Sequence, residues 1–169
     1  MAISPVLTRK RWRLYAHEQD IVVVCGGNER FVHPLMKAYI WALYLPEYPS
    51  ATIEKRIGDK YKPDVVAFAE DAGIYSVPQP IFWGEAGHVG KDKIHSIVRR
   101  FPDTHFCMTK WDKRIDSYVD MVQEALDGTT RNAPFDLIRF HDGDERFVDA
   151  DGNITIGFKD VEFVRLGNK

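Results

Sequence analysis

Ile81-Phe82-Trp83-Gly84-Glu85-Ala86-Gly87 is the first of three segments that together admit only one kind of sheet. The run is short and apolar, the pattern of a strand. From Lys91 to Phe101 the period changes, with Ile94, Ile97, Val98 and Phe101 at i, i+3, i+4 and i+7, one face of a helix that Pro102 stops. His105-Phe106-Cys107-Met108-Thr109 then reads as a buried strand. Two strands with a helix between them and no hairpin turn require a parallel pair joined by a right-handed crossover.

Upstream lies a second apolar run, Val65-Val66-Ala67-Phe68, opened by Pro63-Asp64. Proline is tolerated there because the first residue of a strand needs no ladder donor. Asp71-Ala72-Gly73 reads as a turn before a short strand at Ile74–Val77, and Glu54–Lys62 as a charged linker. Before it, Phe31, Leu35, Tyr39 and Leu43 step by four, widened by Val32, Met36 and Ile40. This predicts a helix from Asn28 onward, with Pro34 in its first turn and Pro46 and Pro49 closing it. Trp12–Tyr15 and Ile21–Cys25, split by Glu18-Gln19-Asp20, predict a hairpin. The adjoining Gly26-Gly27 lacks the spacing of a dinucleotide fingerprint.

Downstream, Asp112 is the expected N-cap of a third helix, Lys113–Leu126, ended by Asp127-Gly128. Phe135–Phe140, Arg146–Val148, Ile154–Phe158 and Val161–Leu166 read as short strands. The crossover demands parallel pairing and the hairpins antiparallel pairing. The expectation is therefore an α/β protein, one domain over residues 1–169, with a mixed central β-sheet flanked by helices on both faces.

Composition narrows the function. A charged fraction of 28% and an apolar fraction of 44% are those of a globular protein, which excludes a disordered chain. There is no apolar run of about 18 residues to span a bilayer, and the basic residues follow rather than precede the short apolar stretch at the N-terminus. The chain is read as cytoplasmic, with no membrane partner. Cys25 and Cys107 lie in β-type surroundings without metal-ligand spacing and read as buried thiols. A net charge of −2 gives no global attraction to nucleic acid, so phosphate contacts would fall to local clusters such as Arg9–Arg13, Lys91 with Lys93, and Lys110 with Lys113 and Arg114.

Alternation along Ile81–Gly87 puts Trp83 and Glu85 on one face. A glutamate beside a tryptophan in an apolar strand requires a partner. If the Asp64 and Glu85 strands pair, two carboxylates converge. At a separation of about 4 Å they repel by about 4 kcal/mol at an effective dielectric of 20, and a divalent ion turns that repulsion into attraction. The competing reading makes Glu85 a structural acid neutralised by a nearby Lys or Arg. His88 comes just after the strand as a ligand or phosphate donor, or as a polar turn residue. Lys91 and Lys93 open the next helix beside the site. Two other features are set aside. Asp149-Ala150-Asp151-Gly152-Asn153 starts like a calcium loop but has Ile154 where that loop needs glycine, so it reads as a turn. His105, in an apolar strand, reads as a core residue.

Pro63-Asp64, the apolar strand, Phe82-Trp83-Gly84-Glu85-Ala86-Gly87 and then Lys93-Ile94 opening a helix resemble the YaeQ family within the PD-(D/E)xK nuclease-like superfamily. The similarity extends over residues 10–112, from the N-terminal hairpin to the strand ending at Thr109. It implies a three-layer, restriction-endonuclease-like core. It also implies a Mg²⁺ or Mn²⁺ site formed by Asp64 and Glu85, with Glu29 contributed by the first helix. The family pattern continues Glu-x-Gly-Gln-Pro, where this chain has His88 and Val89. The superfamily's catalytic lysine falls at Gly87, a position where the YaeQ pattern also lacks it. The resemblance thus implies a metal-dependent nuclease-like phosphodiesterase acting on nucleic acid, with Asp64, Glu85, His88 and Lys93 at its centre. The alternative is a catalytically inactive nuclease-fold protein that binds nucleic acid or a protein partner. A small-molecule binding domain has no cofactor fingerprint to support it.

Overall fold

The computed structural model describes residues 3–27, 31–69 and 79–167. In it β1 (Arg11–Ala16) and β2 (Gln19–Val24) form an antiparallel hairpin, and α1 spans Val32–Tyr44. The main sheet is built from β3 (Thr52–Ile53), β4 (Val65–Phe68), β5 (Pro80–Ala86), β6 (His105–Trp111), β7 (Phe135–Phe140) and β8 (Glu162–Leu166), hydrogen-bonded in that order. Between strands lie α2 (Lys91–Arg100) and α3 (Asp116–Leu126). The pairs β5/β6 and β6/β7 are parallel, while β3/β4, β4/β5 and β7/β8 are antiparallel. The predicted crossover and the mixed sheet are both present.

The sheet separates two apolar clusters. On one face Leu35, Tyr39, Ile40 and Trp41 of α1 pack with Phe82, Cys107, Ile138 and Phe140, and the hairpin adds Trp12, Leu14 and Val23. On the other, Ile94, Ile97 and Val98 of α2 and Val122 and Ala125 of α3 pack with Trp83, Phe106, Met108, Phe135 and Leu137. Strands covered on both faces lose the polar alternation of a half-exposed sheet, which is why β5, β6 and β7 read as nearly continuous apolar runs. α1 lies so close to β5 that a Cβ on Gly84 would stand 2.7 Å from Ile40 Cγ2. The expected three-layer α/β architecture holds. Among the described residues no helix is long and apolar enough to cross a membrane.

A buried polar knot ties the α1 face to three strands. The Asp136 carboxylate accepts from Tyr44 Oη at 2.6 Å, His105 Nε2 at 2.5 Å, and Arg165 Nε and Nη2 at 2.8 and 3.0 Å. A carboxylate only accepts, so Nε2 carries the proton, and Nδ1 of a neutral imidazole is left to accept from Tyr48 Oη at 2.7 Å. Burial pushes the Asp136 carboxyl up, but the bonds from His105, Arg165 and Tyr44 outweigh it and hold the group below the usual carboxylate range. His105 is thus a core residue, as its apolar strand predicts. Cys107 is also buried, and burial pushes its thiol well up.

Several local expectations change. The hairpin turn is His17-Glu18, with φ of 49° and 65°, the paired left-handed conformation of a two-residue type I′ turn, and not Glu18-Gln19-Asp20. Asp112 does not cap a helix. β6 continues to Trp111, Asp112 turns the chain at φ 55°, and α3 begins only at Asp116 after Ile115. Arg146–Val148 is not a strand, because a 3-10 helix runs from Asp144 to Phe147, with Asp144 buried and its carboxylate accepting from the His141 N–H at 2.8 Å. Ile154–Phe158 forms no strand either. Only single bridges form, Val148 to Ile154 and Tyr15 to Asn153, and Asp160 then folds back onto the Gly157 N–H in a 3-10 helix, Phe158–Asp160. A two-residue strand, β3, comes just before the expected linker, and Glu54 starts that linker at φ 58°. Asp149–Asn153 is the expected turn, with the Asp149 carboxylate accepting from the N–H groups of Asp151 and Asn153. The expected strand at Ile74–Val77 lies outside the described residues.

Candidate functional site

The sequence-predicted acids meet where β4 begins and β5 ends. β4 runs antiparallel to β5 with Val65 opposite Gly84, and Asp64 comes just before that pair on one strand as Glu85 comes just after it on the other. Pro63, buried, leads in, and the Asp64 N–H donates to the Gly84 carbonyl at 3.1 Å.

Each carboxylate is held. Asp64 Oδ2 accepts from the Ala86 N–H at 2.8 Å, and Oδ1 stands 3.8 Å from Lys37 Nζ of α1. Glu85 is 5% exposed, and its Oε1 accepts from Trp83 Nε1 at 2.8 Å and from Lys93 Nζ at 2.7 Å. Burial and then the Asp64 charge push the Glu85 carboxyl above its ordinary value, while Lys93 and Trp83 pull against them. The Glu85–Lys93 pair is the neutralised structural acid that the competing sequence reading describes. The Trp83–Glu85 alternation also holds, and it joins the two side chains by a hydrogen bond.

Around the acids stand cations from three elements. Lys37 pairs with Glu54 as well as approaching Asp64, and Lys62 reaches the other Glu54 oxygen at 2.6 Å. Burial raises the Glu54 carboxyl, but its bonds to Lys37 and Lys62 bring it below its usual value. Lys93 also lies 5.1 Å over the ring of Tyr61. His88 is exposed just past β5, with Nδ1 2.8 Å from Tyr118 Oη, and it makes no described bond to either acid. Glu29 lies outside the described residues. The structure therefore unites Asp64, Glu85 and Lys93, and sets His88 at the rim.

Lys110 is the residue sequence reasoning undervalued, treating it as part of a surface cluster. It is 4% exposed, with Nζ 2.7 Å from the Gly87 carbonyl and 3.6 Å from the centre of the Tyr118 ring. Burial, then the nearby Lys113, lower its ammonium to about 8. The signal was its position in the apolar strand β6, two residues after Met108, the argument that picked out Glu85 in β5.

The donor set suits one kind of ion. Mg²⁺ and Mn²⁺ take hard oxygen ligands, and Mg²⁺ is commonly held by one or two carboxylates, with water and substrate phosphate completing the shell. Asp64 and Glu85 supply that number. The ammonium of Lys93 already places positive charge against Glu85. Among the described residues no group of three or more His, Cys, Asp or Glu side chains is arranged to hold a metal. A thiolate- or imidazole-rich ion such as structural zinc does not fit.

No family model and no curated protein matches the chain. Among solved structures, the fold is similar to that of the YaeQ protein from Pseudomonas syringae. That likeness has 10% sequence identity and a TM-score of 0.57, covering 90% of this chain and 87% of that one. The YaeQ protein from Xanthomonas axonopodis pv. citri matches at 10% identity and a TM-score of 0.52, over 78% of this chain and 73% of that one. At this identity the likeness is one of architecture, and the fold of this chain is YaeQ-like.

Proposed function

We propose that this chain is a divalent-metal-dependent phosphodiesterase of the PD-(D/E)xK type, acting on nucleic acid. The observation that carries the reading is the meeting of two acids at one end of the β4/β5 pair: Asp64 is bonded to the Ala86 N–H next to Glu85 and approached by Lys37 of α1, and Glu85 is bonded to Lys93 of α2. Asp64 and Glu85 would hold the Mg²⁺ or Mn²⁺ ion. Such an ion, when bound, supplies Lewis acidity and lowers the pKa of a coordinated water. The protein's own groups set the stage. The Ala86 N–H fixes Asp64, Trp83 and Lys93 fix Glu85, and Lys37 and Lys62, joined through Glu54, give the Asp64 side a positive rim. A phosphodiester arriving at the acids meets this rim.

A second reading has its own support. The Glu85–Lys93 pair and the glycine at position 87 fit a nuclease fold that binds nucleic acid or a protein without cutting. Calorimetry with Mn²⁺ separates the two. Wild type binds Mn²⁺, Asp64→Ala and Glu85→Ala each abolish binding, and Mg²⁺-dependent cleavage of single-stranded, double-stranded or branched substrates disappears with it. Binding of those substrates without any cleavage selects the second reading. No Mn²⁺ binding by the wild type rejects the metal site.

A further inference from the structure

The catalytic charge that the motif lacks at position 87 has a structural reason for being absent there. Gly87 keeps its ladder bond, its N–H donating to the Thr109 carbonyl at 3.1 Å, and then turns at φ +87°. A side chain at that φ is strained, and a Cβ there would point at the His33 ring, 3.4 Å away, toward α1 and away from the face that carries Glu85. A lysine at 87 would be both strained and misdirected.

Lys110 stands where that lysine would be useful. Ala86 pairs with Thr109 in the parallel β5/β6 register, which sets Lys110 level with Gly87. Lys110 alternates with Met108, whose side chain belongs to the α2–α3 cluster together with Trp83. It therefore projects on the Glu85 face, one strand over. Its Nζ donates to the Gly87 carbonyl and is roofed by the Tyr118 ring.

The other lysines near the acids are committed to carboxylates, Lys93 to Glu85, and Lys37 and Lys62 to Glu54. Among the described residues Lys110 has no carboxylate partner. An ammonium has three donors, and the Gly87 carbonyl takes one. A buried cation with spare donors and no counter-ion is a receptor for an anion.

We propose that Lys110 forms an oxyanion site that receives a phosphate group beside Asp64 and Glu85, supplying from β6 the charge that Gly87 cannot carry. This deepens the phosphodiesterase reading and rests on it for the identity of the phosphate as a substrate's. Tyr118 is a positioning residue. Its ring faces the ammonium, and its hydroxyl joins His88 at the mouth.

The test reads binding and turnover separately. Inorganic phosphate and dimethyl phosphate are titrated, without metal, into protein carrying ¹³C-labelled lysine. The Lys110 ε-methylene resonance is assigned by its loss in Lys110→Met. It should move saturably in the wild type, and Lys110→Met should weaken phosphate binding by roughly ten- to hundred-fold, the worth of one charge-assisted bond. Lys159→Ala, an exposed lysine on the 3-10 helix Phe158–Asp160, should leave the affinity unchanged. Tyr118→Phe, which keeps the ring, should retain the affinity, whereas Tyr118→Ala should lower it. On any substrate the wild type cleaves, Lys110→Met should slow turnover by ~10²–10³ with Mn²⁺ affinity unchanged.

An unmoved Lys110 resonance while phosphate shifts other lysines overturns the proposal whether or not the variants fold. So does cleavage by Lys110→Met at the wild-type rate, an outcome that leaves the phosphodiesterase reading standing. Phosphate bound at Lys110 by a protein that neither binds Mn²⁺ nor cleaves supports the oxyanion site and removes the enzyme reading.

Discussion

Replacing Asp136 by Asn probes a fully buried carboxylate on which four hydrogen bonds from three partners converge. The substitution keeps the shape and removes the charge. It also turns one acceptor oxygen into an NH₂ donor facing groups that are themselves donors, Tyr44 Oη, His105 Nε2 and the Arg165 guanidinium. Breaking a buried ion pair by removing one partner costs about 3–5 kcal/mol. Arg165 keeps a side-chain exposure of 45%, so water screens part of its loss and the lower end, about 3 kcal/mol, is the expectation. For a domain of this size each kcal/mol moves Tm by about 2–4 °C, which gives a fall of about 6–12 °C by calorimetry. The pH dependence has a definite sign. The folded carboxyl lies below its unfolded value, so its stabilisation is complete above about pH 4 and is lost as pH falls through the folded value. The stability gap between wild type and Asp136→Asn should therefore be widest near neutrality and close in acid. A Tm change under about 2 °C, or a gap that widens in acid, would refute this account of the knot.

Gly84→Ala should destabilise by about 1–3 kcal/mol in urea unfolding, because its Cβ would press on the stiff branched Ile40 Cγ2 at 2.7 Å and Val65 Cβ at 3.3 Å; an unchanged midpoint would show that α1 can retreat from β5. Lys110 should titrate by NMR near 8, well below the 10.4 of an exposed lysine. Between those values the unfolded chain holds the proton and the folded one does not, so stability should rise as pH climbs from about 8 to about 10.4; a midpoint above about 10 counts against burial of the charge. Tyr39→Phe should cost about 1 kcal/mol, since it strips the hydroxyl that donates to the buried Asp144 carbonyl at 2.6 Å.

The residues that revealed the architecture were those whose pattern changes period. Ile81–Ala86, Ile94–Phe101 and His105–Thr109 switch from strand to helix to strand within one crossover, and no local alternative satisfies all three. Where the chain is held by single side chains, the pattern misled. Asp112 has the chemistry of a cap, but the ladder of β6 carries the chain to Trp111, and the aspartate is used to reverse it at positive φ. Phe147 and Phe158 look like strand residues because they are apolar, yet both fall in 3-10 helices, where Asp144 and Asp160 bind nearby N–H groups. At the candidate site, the nearness of Asp64 to the end of β5 that carries Glu85 was legible because a proline and an acid in an apolar strand each ask for a physical reason. The ties of Lys37 and Lys93 were not, since they depend on how two helices approach from opposite faces of the sheet.

The Gly152 turn bears on the order of assembly. Its carbonyl accepts the Tyr15 N–H at 2.9 Å, the Ile154 N–H returns to the Tyr15 carbonyl at 2.8 Å, and a Cβ at Gly152 would lie 2.5 Å from the Arg13 carbonyl oxygen. Ser4 Oγ likewise donates to the Asp149 carbonyl at 2.6 Å across a separation of 145 residues. The hairpin is thus stitched to a segment that leaves the ribosome long after it. During synthesis its outer edge must wait unpaired, exposed to pairing with other chains, until residues 149–154 arrive. The type I′ turn at His17-Glu18 lets the hairpin form early by itself, and the late stitch then fastens it to the turn at residues 149–154.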